Sequence, residues 1–427
     1  MIACMKRDPL DDILIDKLPA ARSSHRIALV TETYPPEVNG VAMSLARIVE
    51  GLHARGHELQ LIRPHQRASD RAEVASRFEE FLTGGWPIPR YPNLRMGAPS
   101  KRALVQRWAL RRPDVVHIAT EGPLGWSALQ AALHLKLPVT SDFRTNFHAY
   151  GEHYRLGWLA RPIMAYLRRF HNRTLSTMVP TEPLRARLAA SGFERLTVVS
   201  RGVDTRLFDP QRRSESLRQQ WGVAPDTLVA VCVGRLAPEK NLVAVLNTFE
   251  ALRDVMPDVR IVFVGDGPMR AHLGARCPQA IFAGQRHGED LAAHYASADL
   301  FLFPSLTETY GNVAAEAMAS GLPVLAFDCA AAGQLIQSGR NGVLVEGSDP
   351  IDFTRAALSL AVDAPWRDAL GRVARQTALN HGWDDVVRRF ESVLAQAIEQ
   401  PSDKPYAASA GFAAGVTGAA AARPTAT

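Results

Sequence analysis

Short apolar runs alternate with longer amphipathic stretches along this chain, and the alternation restarts once. In the first half the runs fall at 26–30, 58–62, 114–118, 138–141 and 196–199; in the second they fall at 227–233, 260–264, 280–283, 300–303 and 323–326. Runs this short, rich in β-branched and aliphatic residues and separated by helical patterns, predict parallel strands buried on both faces and joined by helical crossovers. Between 41 and 55, Val41, Leu45, Ile48, Val49 and Leu52 share one face of such a helix. A turn-rich joint at 200–225 separates the two series. The expected fold class is therefore α/β, with two Rossmann-like domains in tandem.

The chain has 427 residues, 47% hydrophobic and 22% charged, which is enough for two domains with cores of their own. The expected organisation is an amino-terminal extension over 1–24, one Rossmann-like domain over 25–200 and a second over 201–382. A helix over 383–400 is expected to pack back on the first domain. The Ala/Gly/Pro/Thr-rich segment 401–427 reads as a disordered tail. No apolar run approaches the ~18–20 residues of a membrane span. Residues 1–24 carry Asp8, Asp11, Asp12 and Asp16 and lack the apolar block of a signal peptide, so a cytoplasmic protein is expected. Cys4, Cys232, Cys277 and Cys329 stand apart from one another and are expected to be buried thiols, not zinc ligands or disulfides.

Charge is uneven. Residues 1–200 hold 28 Lys and Arg against 18 Asp and Glu, whereas the remainder holds 21 against 25. The basic half should face an anionic partner. Its arginines are scattered and no nucleic-acid module is visible, so nucleic acid is not the expected partner. Residues 154–170 interleave aromatics with Arg as a helix at an anionic membrane surface would, a pattern that a core-packed helix with a basic edge shares. Peripheral attachment to the inner face of the membrane is thus an open expectation.

The chemistry concentrates in the second half. The apolar run 300–303 leads through a Pro/Ser/Thr/Gly-rich turn into a predicted helix, with Glu308 and Glu316 on either side of its start. A helix start attracts anions because its first N–H groups lack partners. Eight residues of continuous helix would part the two acids by roughly 12 Å, beyond the ~5–9.5 Å of glycoside hydrolase carboxyl pairs. Two such clamps suit a long ligand with hydroxyls at both ends and phosphate in the middle, a sugar nucleotide; taken alone, the spacing also fits a solvated helix with two ordinary acids. Arg235, at the end of a strand, and Lys240, at the next helix start, supply two cations suited to a diphosphate, or else cap local acids such as Glu239. Gly265 and Gly267 end another strand, where a base or ribose could lie against backbone; a tight turn with Asp266 as cap reads equally well.

After the first strand no G-x-G-x-x-G appears, which argues against an NAD-type cofactor. Asn39-Gly40 opens a helix there, as an anion approach or as a simple capped turn. No D-x-D occurs anywhere, so neither a metal nor a cofactor is expected, and the cations and helix dipole would neutralise a leaving phosphate.

In combination and in order, Gly-Arg-Leu-x-x-Glu-Lys-Asn at 234–241, Gly-Asp-Gly-Pro at 265–268, Pro-Ser at 304–305, Glu308-x7-Glu316 and Gly-x-Pro-Val at 321–324 are highly specific. The chain resembles the retaining glycosyltransferases of the GT-B fold, family 4 (the glycosyltransferase group 1 class), over roughly 26–400. The resemblance implies a deep interdomain cleft in which Arg235 and Lys240 bind the donor diphosphate, Glu308 the sugar hydroxyls and Glu316 the ribose. It implies that backbone at Tyr310, Gly311, Asn312 and Val313 holds phosphate, that Gly265 and Gly267 belong to the donor site, and that Gly40 approaches the diphosphate from the first domain. Residues 33–41 and 200–208 carry a closer likeness to bacterial GDP-mannose-dependent α-mannosyltransferases and glycolipid synthases. The implied reaction is metal-independent retaining transfer of a hexose, mannose from GDP-mannose being the expected case, from a nucleoside diphosphate to a lipid or saccharide acceptor. A UDP-sugar-dependent glycolipid synthase, another GT-B-type enzyme such as a 2-epimerase or phosphorylase, and a non-catalytic nucleotide-sugar-binding protein are the alternatives. One departure stands out: where many relatives place a His before Thr-Asn-Phe, this chain has Arg144, with His148 four residues on. Both are kept as candidates, Arg144 for phosphate or acceptor and His148 for the displaced role.

Overall fold

The computed structural model describes residues 24–400 apart from 38, 68, 89–90, 145–156, 307 and 309. The expected extension up to residue 23, the tail 401–427, Cys4 and His148 lie outside the described residues. In chain order the first half contributes β1 (Arg26–Val30), β2 (Glu58–Pro64), β3 (Val74–Ala75), β4 (Phe78–Thr83), β5 (Gly85–Ile88), β6 (Tyr91–Gly97), β7 (Val115–Ile118), β8 (Val139–Asp142), β9 (Ser176–Val179) and β10 (Leu196–Val198). Eight of them form one sheet in the order β10-β9-β8-β7-β1-β2-β4-β3, while β5 and β6 make a separate antiparallel hairpin. All pairings in the large sheet are parallel except β3 with β4.

Alternation along β1 builds both layers around this sheet. Ile27 and Leu29 face one side, against Leu45, Ile48 and Leu52 of the helix Gly40–Ala54. Ala28 and Val30 face the other, against Leu124 and Ala128 of the helix Pro123–His134 and Trp108. This is the period-two consequence of a pleated strand buried twice. The strands with no apolar signature escaped the pattern. In β4 the Glu80 carboxylate is buried because Arg63 on β2 reaches it at 2.8 Å. In β9 the buried Thr177 hydroxyl lies 3.2 Å from that of Ser141 on β8.

The second half forms an all-parallel sheet, β13-β12-β11-β14-β15-β16, from β11 (Val229–Val233), β12 (Arg260–Val264), β13 (Ile281–Gly284), β14 (Leu300–Phe303), β15 (Val324–Phe327) and β16 (Val343–Val345). The stretch 350–400 divides into helices Pro350–Val362, Ala364–Leu379 and Trp383–Glu399. The last of these lays Val386, Phe390, Val393 and Leu394 into the first-half core beside Ile27 and Leu45. It is also tied there by Glu391, which takes Arg55 at 2.5 Å and His57 at 3.0 Å.

Two segments cross between the halves side by side. Val203 donates its N–H to His381 at 3.0 Å, and a Cβ on Gly202 would sit 2.8 Å from the Trp383 backbone. That crossing brings residue 201 to the floor of the space between the two sheets. Among the described residues, no helix is long and apolar enough to cross a membrane.

Candidate active site

A cleft of about 620 Å³ opens between the two halves. That volume is in the range of a small-molecule site. Its walls are the loops that follow the carboxyl ends of parallel strands, where open α/β sheets place ligands. From the first half come Thr33, Glu37 and Asn39 after β1, Thr120 to Gly122 after β7, Arg144 after β8 and Arg201 after β10; from the second come Lys240, Glu308 and Tyr310 to Val313.

On the second-half wall, β14 runs into a loop that turns at Gly311, whose φ of +87° suits a residue without a Cβ. A Cβ there would also come within 3.0 Å of the Phe303 ring. The helix that follows spans Asn312–Ala319, so Glu308 lies ahead of it in the loop and Glu316 in its second turn. The premise of continuous helical spacing between the two acids therefore fails, because the Gly311 turn separates them. Glu308 lines the cleft, where it takes a hydrogen bond from the Lys240 ammonium. Lys240 closes a 3₁₀ turn, Pro238–Lys240, and Asn241 after it adopts the left-handed conformation at φ +53°. The Asn241 side chain donates to the Pro304 carbonyl at 3.2 Å, which ties the Lys240 turn to the Glu308 loop.

Glu316 is not among the residues lining the cleft. Its carboxylate receives the Tyr295 hydroxyl at 2.9 Å, and burial, opposed by that hydrogen bond, pushes its pKa up to about 7. Arg235 is half-exposed and pairs with Glu239 at 2.9 Å, the arrangement of a cation capping a local acid. It lines a small recess that shares Lys240 with the main cleft. Gly265 and Gly267 lie under the turn after β11: a Cβ on Gly265 would come within 1.9 Å of the Gly234 carbonyl oxygen, and one on Gly267 within 2.4 Å of that of Leu236. What they make room for here is protein backbone, held by hydrogen bonds from Gly234 to Val264 and from Leu236 to Asp266, each 2.9 Å. Asp266 accepts from Gly267 at 2.8 Å and does not cap the following helix Arg270–Arg276.

On the first-half wall, Asn39 caps the helix Gly40–Ala54, accepting from Val41 and Ala42 at 3.1 and 2.9 Å. Its own amide donates to Thr33 at 2.7 Å. A Cβ on Gly40 would stand 3.7 Å from both the Arg201 guanidinium and the Asn312 amide, so the two halves approach closely across this residue. Gly40, Arg144, Lys240, Glu308, Tyr310, Gly311, Asn312 and Val313 are thus brought together, whereas Arg235, Glu316, Gly265 and Gly267 sit at or beyond the margin.

Several cleft residues were not among the candidates, although Glu37 and Arg201 lie within the segments 33–41 and 200–208 that carry the family likeness. Glu32 accepts the Leu124 N–H at 2.9 Å at the start of the helix Pro123–His134. Burial, opposed by backbone donors at Leu124, Gly97 and Gly125, pushes its carboxyl up to about 7. Glu37 is shifted upward too, by burial against the hydrogen bond from Thr33. Arg201 is buried beside Arg144 with its guanidinium 5.7 Å from the centre of the Tyr310 ring. Beyond that likeness, the hint available in the sequence was position: each of these follows a predicted strand by a few residues.

Among the described residues, three buried polar atoms on these walls have no hydrogen-bond partner: Glu37 Oε1, Arg144 Nη1 and Asn312 Oδ1. Because orphaned polar groups are costly and uncommon, their convergence from both walls marks a surface built for a polar ligand.

Family models agree with this geometry. Residues 38–207 match the model described as Glycosyltransferase Family 4, and residues 227–363 match Glycosyl transferases group 1. A GDP-mannose-dependent alpha-mannosyltransferase of Mycolicibacterium smegmatis is 36% identical over 385 residues, covering 87% of this chain and 98% of the relative. The protein of the same name from Mycobacterium tuberculosis is 34% identical, covering 88% and 98%. Among solved structures, sucrose-phosphate synthase from Thermosynechococcus elongatus superposes with a TM-score of 0.72 at 19% identity, over 87% of this chain and 98% of that one. That superposition shows the fold.

Proposed function

The chain belongs to glycosyltransferase family 4 and is a glycosyltransferase of the GT-B fold, and from that premise we propose that it transfers mannose from GDP-mannose to a hydroxyl of a lipid or saccharide acceptor, with retention at the anomeric carbon. The observation that carries this reading is the convergence of Lys240, Glu308 and the backbone of Tyr310–Val313 on one cleft opposite Gly40. The 32–36% identity to mannosyltransferases named for GDP-mannose supports the donor.

In this reading Lys240 keeps two of its three ammonium hydrogens for the donor diphosphate while the third holds Glu308 in place. Arg235 swings from Glu239 to the same phosphates, a small cost for an exposed pair. The free oxygen of Glu308 accepts from sugar hydroxyls, and for Glu316 to meet the ribose its carboxylate must turn from the Tyr295 hydroxyl toward the cleft. Phosphate lies against the amides at the start of the helix Asn312–Ala319. Departure of the diphosphate is the hard step, and fixed cations and N–H groups in a closed cleft stabilise the charge as it develops. The acceptor attacks from the face the diphosphate leaves, and a leaving phosphate oxygen takes the acceptor proton.

A thermal-shift panel of GDP-, UDP- and ADP-sugars tests the donor, since a ligand well above its dissociation constant stabilises by several kcal/mol. GDP-mannose should raise the midpoint most. A shift with UDP-glucose alone would instead make the protein a UDP-sugar-dependent transferase of the same family. Hydrolysis or transfer products with inverted configuration would overturn the retaining mechanism.

A further inference from the structure

We propose that Arg144 and Arg201 together form an oxyanion subsite on the floor of the cleft, additional to the Arg235–Lys240 pair, which takes a phosphate, sulfonate or carboxylate group carried by a substrate. The proposal rests on the reading of the cleft as a nucleotide-sugar site, and it names a charge requirement of that site beyond the Arg235–Lys240 pair.

The two guanidiniums come from distant points of the first half. Arg144 follows β8, and its side chain is only 9% exposed. Its Nε donates to Asp142 at 2.7 Å, but its Nη1 is buried with no partner among the described residues. Arg201 stands in the crossing after β10 and is 9% exposed. Its backbone carbonyl is held by the Tyr310 hydroxyl at 2.9 Å, so its position is set by the second half as much as by the first. Among the described residues no carboxylate lies within ion-pair distance of Arg201.

The acids nearest Arg201 are engaged elsewhere or driven toward neutrality. Asp142 is held in its charged form by Arg144 and His117 despite its burial, and so offsets one guanidinium. Glu308 is matched by Lys240. Glu121 lies against His171 at 3.2 Å, and Glu32 and Glu37 are both shifted toward their neutral forms by burial. Burial and the nearby Arg144 push the Arg201 guanidinium down to about 10, against the weaker opposing pull of Asp142 and Glu308. An uncompensated buried charge is among the costlier features a fold can retain. A guanidinium also presents a donor fork matched to oxyanions. Gly40 leaves space between Arg201 and Asn312, so such an anion can be reached from the donor side of the cleft.

Two sources could supply the anion: the donor diphosphate itself, or an acidic group on the transferred sugar or acceptor. The test measures nucleotide affinity and inorganic phosphate binding by calorimetry at constant ionic strength, for the full chain and for Arg201→Met, Arg201→Lys and Arg144→Gln. The nucleotide is whichever of GDP, UDP and ADP binds the unmodified chain most tightly. If the diphosphate occupies the subsite, Arg201→Met weakens nucleotide binding at least tenfold, Arg201→Lys less, and phosphate adds nothing to the nucleotide-saturated protein. If a separate group occupies it, nucleotide affinity is unchanged. The saturated protein then still binds phosphate, and Arg201→Met and Arg144→Gln abolish that binding.

The proposal is overturned if all four proteins bind nucleotide within twofold of one another and bind phosphate equally. Failure of all three nucleotides to bind the unmodified chain would instead sink the donor reading. Phosphate titration of the free proteins would then still test the Arg pair. A melting midpoint for Arg201→Met at or above that of the unmodified chain guards against loss of fold as the cause.

Discussion

The two walls of the cleft handle charge differently. On the second-half wall every motif cation has a carboxylate at hand, Lys240 with Glu308 and Arg235 with Glu239. On the first-half wall the matching is incomplete: Arg144 pairs with Asp142 but keeps an idle nitrogen, Arg201 has no carboxylate within ion-pair distance among the described residues, and Glu32 and Glu37 are driven toward their neutral forms. The second-half wall is stable as it stands and can exchange an internal partner for a ligand at small cost. The first-half wall carries a standing cost that a ligand would relieve, as functional sites commonly do.

The largest expected effect falls on the matched wall. Lys240→Ala should lower kcat/KM for glycosyl transfer about 10²–10³-fold, or ~3–4 kcal/mol of transition-state stabilisation. Near-normal turnover in that variant would remove Lys240 from the diphosphate site and the contrast with it. Next comes one substitution made on both sides. Gly265→Ala must force a Cβ to 1.9 Å from the Gly234 carbonyl at a φ of +139°, and should cost at least about 2–3 kcal/mol in denaturant unfolding. Gly40→Ala has 3.7 Å of room and should leave stability almost unchanged while weakening donor binding. Equal losses of stability at the two sites would mean that the walls are built alike.

Smaller but sharper is a comparison of cations. Arg201→Met should raise the melting midpoint of the ligand-free protein, because it removes an unmatched buried charge, whereas Lys240→Met should lower it by stranding Glu308; each change is on the order of 1 kcal/mol. A fall in both would show that Arg201 is compensated after all.

The smallest effect is in pH dependence. Glu316 is raised by burial to about 7, above its unfolded value, so the folded state keeps a proton that the unfolded state releases. Its contribution is full below about pH 4.5 and is lost as pH rises to about 7. Glu316→Gln should therefore flatten the fall in melting midpoint between pH 5 and 7.5. Glu32, shifted the same way, should supply the part that remains. An unchanged slope would place the Glu316 carboxylate outside the buried environment described here.

The sequence by itself determined most of the two series of buried strands, their ends to within two residues, and the Lys240, Glu308 and 310–313 elements of the second-half wall. Lys240, Glu308 and Gly311 were legible because each belongs to a compact strand–turn–helix unit whose local geometry follows from nearby residue types. The weak strands were not: β4 hides its acid behind Arg63, and β9 packs through hydroxyls, so neither shows an apolar pattern. Nor could spacing reveal that Gly311 would break the helical path from Glu308 to Glu316.

Only the tertiary structure decided that Arg201 meets Arg144, that Glu32 holds the start of the helix Pro123–His134, and that Gly265 serves the turn after β11. These facts depend on which strands become neighbours and where the chain crosses between its halves. Burial and proximity, and with them the protonation and pairing of each charge, are properties of the packed molecule and are not carried by any local run of residues.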